Sequence, residues 1–101
     1  MAQSTRLGTR TSNAKAGNYI ANRIGFVGSN FYGVLGYHEN QTWGRLDHIH
    51  IAELISQNPD YIVYSYGTPI AWHHAGGWSL PAIKYSVSTS KHQSLVRRAI
   101  A

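Results

Sequence analysis

A chain of 101 residues with nine Lys and Arg against four Asp and Glu, and with six His and no Cys, carries a net charge of +5. That length holds one domain with a modest core, and the absence of Cys excludes disulfides and thiolate metal sites. No run approaches the roughly 20 apolar residues of a membrane span, and the start of the chain lacks an apolar signal core of about 7–15 residues, so the cytoplasm is the expected location.

Residues 1–17, MAQSTRLGTRTSNAKAG, mix Arg6, Arg10 and Lys15 with Ser, Thr, Ala and Gly and show no apolar period. Such a segment buries too little surface to offset chain entropy. It is expected to be a disordered basic tail, with one domain over 18–101. Next, YIANRIGFVGSNFYGVLGY (19–37) combines β-formers with Gly25, Gly28, Gly33 and Gly36. Two short strands are expected near 22–27 and 31–36, turning at Gly28-Ser29-Asn30. Bulky apolar residues separate the glycines, which suits close strand packing. A phosphate-cradling loop would instead run from its glycines into a helix.

Residues 38–46 are polar and turn-like, and DHIHIAELISQ (47–57) follows. His48 to Ile51 alternate as a strand does, yet Ile51, Ala52, Leu54 and Ile55 fit one helical face over the longer window. With Asp47 as cap and Asn58-Pro59 as stop, a helix is expected. YIVYSY (61–66) is the clearest strand, being β-branched and aromatic between Pro59-Asp60 and Gly67. A second strand is expected near 69–73, a turn at Ala75-Gly76-Gly77, and a third strand over 82–88, where Ile83, Tyr85 and Val87 alternate with Lys84, Ser86 and Ser88. Ser90 and Gln93 have capping-box spacing. They predict a final helix from about residue 91, with Leu95, Val96, Ala99 and Ile100 on one face and Lys91, Ser94 and Arg98 on the other. The expected class is α+β: an antiparallel sheet of about four or five strands, a C-terminal helix packed on it, and a short middle helix over an edge or face.

Charge placement carries more information than its total. All four acids, Glu39, Asp47, Glu53 and Asp60, lie between 39 and 60 with Arg45 as the one base among them, so basic arms flank an acidic middle. The last forty residues hold Lys84, Lys91, Arg97 and Arg98 and no acid past Asp60. A basic surface draws phosphate through the summed field.

The segments YSYGTPIAW (64–72) and YSVSTSKHQ (85–93), with Phe26-Val27-Gly28-Ser29-Asn30 upstream, resemble small proteins encoded by actinobacteriophages and actinobacterial mobile elements. The resemblance spans roughly residues 22–98 and is strongest in the last forty. It implies a phage or mobile-element context and no mechanism.

Catalytic and metal patterns are weak. Metal sites need three or four converging ligands, and in a helix His48 and His50 stand about 200° apart. Ser65, Ser86 and His92 could form a nucleophile–base set, but no G-x-S-x-G elbow is present. No cofactor is expected. The expected activity is binding, with nucleic acid first: Lys84, Lys91, Arg97 and Arg98 on phosphates, and Ser86, Ser88 and His92 adding hydrogen bonds. An alternative is modulation of a host protein through an aromatic patch of Tyr64, Trp72 and Trp78. A third is a structural subunit of a homo-oligomer.

Overall fold

The strongest strand pattern in the sequence forms the centre of the fold. In the computed structural model, which describes residues 8–36 and 42–101, Tyr61–Ser65 is β4, and every residue of it is buried. Tyr61 and Val63 face one core cluster with Ile20, Phe26, Phe31 and Val96. Ile62 and Tyr64 face another with Val34, Leu46, Leu54 and Trp72. The two-residue period of a strand thus serves two cores, one on each face of the sheet.

The other strands are β1 (Thr9–Arg10), β2 (Phe26–Val27), β3 (Phe31–Leu35), β5 (Thr68–His74) and β6 (Gly77–Ser79). They form one six-stranded sheet in chain order, β1-β2-β3-β4-β5-β6. All neighbours are antiparallel except β1 and β2, which are parallel. The class is α+β as expected, with more strands than the pattern suggested. Across β4 and β5, Val63 pairs with Ala71 and Tyr64 with Pro69. Ile70 is the extra residue of this bulge. It turns Ile70 and Ala71 toward the same core.

Helix α1 (Ala16–Ala21) and helix α3 (Val87–Ile100) pack on the first face. Helix α2 (His48–Gln57) packs on the second through Leu54 and Ile51. Its start is the expected one: Asp47 Oδ1 accepts from the His50 N–H at 2.9 Å, and Asn58 closes the helix with a left-handed φ of 48°. Ile55, expected on the buried face, is exposed. No helix among the described residues is long and apolar enough to cross a membrane.

Two expectations are corrected. Residues 9–17 are not a tail: they supply β1, a 3-10 turn (Asn13–Lys15) and the start of α1, whose Ala16 is fully buried. Parallel pairing with β2 and the Ala16 and Ile20 contacts supply the burial that composition did not reveal. Nor are residues 82–88 a strand. Pro81 lacks a backbone donor, and the Ile83 carbonyl accepts from Gln93 Nε2 at 3.0 Å instead of from a strand neighbour. Consequently the helix begins earlier than expected. Ser86, not Ser90, is the N-cap, and its Oγ accepts from the Thr89 N–H at 3.2 Å.

Candidate functional site

A two-residue loop, Tyr66-Gly67, joins β4 to β5 with φ values of 52° and 79°. Two successive left-handed residues make the tight hairpin turn whose twist matches the strands, a position that favours Asn-Gly. Gly67 suits it. Tyr66 is strained there, because a bulky side chain rarely adopts positive φ. Two neighbouring loops tie the turn down. The Tyr66 N–H donates to Asn30 O at 3.0 Å, Thr42 Oγ1 donates to Gly67 O at 2.7 Å, and the Arg45 N–H donates to Thr68 Oγ1 at 2.9 Å.

Beneath the turn lies a polar chain centred on His92. Asn13 Oδ1 accepts from the Ser29 N–H at 2.8 Å, and Asn13 Nδ2 donates to Ser29 O at 3.1 Å. This two-point contact fixes the orientation of the amide. Gly28 makes room for it, since a Cβ there would collide with Asn13 Oδ1. Nδ2 therefore also faces His92 Nε2, 3.3 Å away, as a donor. A neutral imidazole has one donor and one acceptor nitrogen. Nε2 is the acceptor, so Nδ1 carries the proton and donates to Ser65 Oγ at 2.6 Å. Ser65 in turn donates to Thr89 Oγ1 at 3.2 Å, as does Ser86. His92 is 6% exposed, and burial pushes its pKa below the ordinary value, in keeping with a neutral ring.

Two clefts meet at Tyr66 and Ser88. One, of about 270 Å³, is lined by Arg45, Tyr85, Ser86 and Thr89 as well. The Tyr85 hydroxyl in its wall is buried without a hydrogen-bond partner, and burial raises its pKa. The second, of about 250 Å³, adds Asn30, Lys91 and Leu95. Ser29 carries the second cleft on to a third, of about 460 Å³, with Arg10 and Thr11. Leu95 links it to the groove between α1 and α3, of about 480 Å³, where Lys15 and Arg98 lie. Every one of these four clefts holds at least one cation.

Among the described residues none of these cations forms an ion pair with a carboxylate. Among the described residues the ion pairs are His50–Asp47 at 2.7 Å and His73–Asp60 at 2.8 Å. Both use imidazole, which leaves the described Lys and Arg side chains outside any ion pair among those residues.

The anticipated residues divide. Ser86, Ser88 and Lys91 come together on the first turns of α3 beside Tyr66. Lys84 is exposed on the segment before the helix, and Arg97 is exposed near its end. Arg98 joins Lys15 in the α1–α3 groove. His92 lines the second cleft but is buried, with both ring nitrogens engaged. The residues of the expected aromatic patch are mostly buried. Tyr64 is 2% exposed and stacked on Tyr32 at 4.8 Å. Trp72 is fully buried, with Nε1 donating to Gln57 Oε1 at 2.7 Å. Trp78 is half-buried, edge-on to Tyr61. Among the described residues no three His, Asp or Glu side chains converge on a metal-sized site, and His38 lies outside them. Asn13 and Arg45 are not site candidates from the sequence, and Arg10 enters there only within the apparent basic tail. Tyr66 is expected to end the strand on the face of Ile62 and Tyr64, where tyrosines could stack on bases; the structure puts it in the turn instead.

Fold and clefts together define a small α+β domain whose sheet is covered on both faces and whose four clefts each hold a cation, three of them with hydroxyl side chains as well. The chain belongs to a family of unknown function, DUF8033, whose model matches residues 5–98. That match takes in β1 and the 3-10 turn, the elements hidden in the apparent tail. No curated protein and no solved structure matches the chain.

Proposed function

We propose that this protein acts by binding rather than by catalysis, that its partner is nucleic acid, and that it serves as an accessory protein of a phage or mobile element. The observation that supports the partner is the run of linked clefts, each with a cation that forms no ion pair among the described residues. Such cations are open to phosphate oxygens and release condensed counterions when those oxygens arrive. The last-forty-residue resemblance supports the biological context. Against catalysis stands the Ser65–His92 pair: Ser65 is fully buried, and its partner nitrogen is a donor where a nucleophile needs an acceptor. The aromatic route to a host protein loses its support with the burial of Tyr64 and Trp72.

Titration of labelled oligonucleotides across a salt series tests the reading. Affinity should fall steeply as salt rises, and charge reversal at Lys91 and Arg98 should weaken binding about tenfold or more in low salt. Unchanged binding by the doubly reversed, folded protein overturns it.

A further inference from the structure

Tyr66 bears on which form of nucleic acid these clefts accept. We infer that the protein binds single-stranded nucleic acid, with one base stacked on the Tyr66 ring and the flanking phosphates held on the Arg45 and Lys91 sides. The inference rests on the nucleic-acid reading and narrows it.

Tyr66 combines two features that folding alone does not favour. It adopts a left-handed backbone, φ 52°, where Asn or Gly is unstrained. It also exposes 54% of its surface, more than any other Phe, Tyr or Trp among the described residues. The other residues of the YIVYSY run face the cores. Tyr66 alone is turned out of the sheet by its strained turn. An aromatic ring held outward at a cost in strain points to a function outside the fold.

What supports the ring fits a stacking platform. Phe31 in the core stacks on His92 at 4.5 Å and 12° between planes, and Tyr66 stacks on His92 at 5.9 Å and 21°. The Asn13 and Ser65 hydrogen bonds hold the middle ring in place. A series of near-parallel rings therefore runs from the core to the surface and ends at Tyr66. A nucleobase is the flat group that extends it. Arg45 lies in one of the two clefts that Tyr66 lines and Lys91 in the other. The Ser86 and Ser88 side chains add polar groups nearby. Aromatic platforms between cations are how unpaired strands are held. A duplex has its bases paired and stacked internally, so it offers the phosphates and not the base face.

The test uses fluorescence anisotropy with oligothymidylate, oligouridylate and a mixed-sequence duplex, each about a dozen nucleotides long so as to span one small-domain site. Either single strand should bind about tenfold more tightly than the duplex, the scale of one base–aromatic stack. Tyr66→Asn should abolish that preference by weakening single-strand binding, leave duplex binding unchanged, and hold or raise the melting temperature, because Asn tolerates the turn. Tyr66→Phe should keep the preference. A folded Tyr66→Asn protein with full single-strand affinity overturns the inference, and so does a duplex bound as tightly as the single strands. Both of those outcomes leave the nucleic-acid reading intact. No binding of any of the three probes removes that reading and the inference with it.

Discussion

Ser65 Oγ and His92 Nδ1 stand 2.6 Å apart, and the proton between them belongs to the imidazole. The assignment comes from Asn13, whose amide is oriented by Ser29 and presents a donor to the opposite ring nitrogen. A general base needs the reverse polarity, with the hydroxyl donating to the ring. The pair therefore anchors α3 to β4. Removing one partner of a buried hydrogen bond costs about 1–3 kcal/mol, and Ser65→Ala should lose that much in urea unfolding. An active-site phosphonate should leave the wild-type protein unlabelled. Labelling at Ser65 would reverse the assignment.

The same ring sets a pH dependence. Burial holds the His92 pKa below its ordinary value of 6.5. As pH falls below that value, the unfolded chain takes up a proton that the folded chain resists. The unfolded state then binds more protons, so stability declines with falling pH. The contribution is complete above about pH 6.5 and is lost as pH falls through the folded pKa. Urea midpoints measured on either side of pH 6.5 should show this decline in the wild type and a flatter profile in His92→Gln. Parallel profiles would assign the decline to other groups.

The pattern-based expectations succeeded where local chemistry and tertiary packing agree. Tyr61–Ser65 has a β-branched, aromatic composition and is the central strand. Asp47 and Asn58 bracket α2 as its caps. Over residues 82–86 exposure does alternate, with Ile83 and Tyr85 half-buried between exposed neighbours, but Val87 is exposed at the start of α3, and β6 has already ended at Ser79. Period two reports alternating exposure, which an extended connector also shows. Ser86, Ser88 and Lys91 were legible as candidates from the acid-free basic stretch, although the pattern put the two serines on a strand; the early start of α3 is what brings the three together. Arg45, Tyr66 and Asn13 reach them only through tertiary contacts. Asn13 and His92 are 79 residues apart in sequence, and no local pattern encodes that distance.

Two serines compete for the role of helix cap, and substitution separates them. Ser86 Oγ accepts from the Thr89 N–H, whereas Ser90 already lies within α3. Ser86→Ala should cost about 1 kcal/mol, the usual loss for an N-cap. Ser90→Ala, at a helical position where Ala is the better former, should be neutral or slightly stabilising. Equal losses would place the start of the helix later than Val87.

Gly44 and Gly36 both have positive φ, 52° and 77°, and differ in their surroundings. A Cβ on Gly44 would lie 2.7 Å from Thr68 Cα and 2.9 Å from Gly67 O, which are backbone atoms unable to move aside cheaply. A Cβ on Gly36 meets nothing among the described residues within 4 Å. Gly36→Ala should therefore cost the conformational strain alone, about 1 kcal/mol. Gly44→Ala should cost at least about 1 kcal/mol more, as overpacking does. Because Gly44 packs on the base of the Tyr66 turn, its substitution should also weaken single-strand binding, while Gly36→Ala should not.

Arg10, Arg45 and Lys91 occupy clefts joined through Ser29, Tyr66 and Ser88. If one strand follows that path, each cation meets a phosphate and contributes separately to counterion release. Replacing any of the three by Gln should lower the slope of log affinity against log salt by about one phosphate's share, with the losses adding across the three. Arg23 supplies the contrast. It is exposed between α1 and β2 and lines none of these clefts, so Arg23→Gln lowers the net charge by the same amount and should leave the slope unchanged. Four equal reductions would mean that affinity follows total charge rather than the path, and the strand would then have no defined route across the surface.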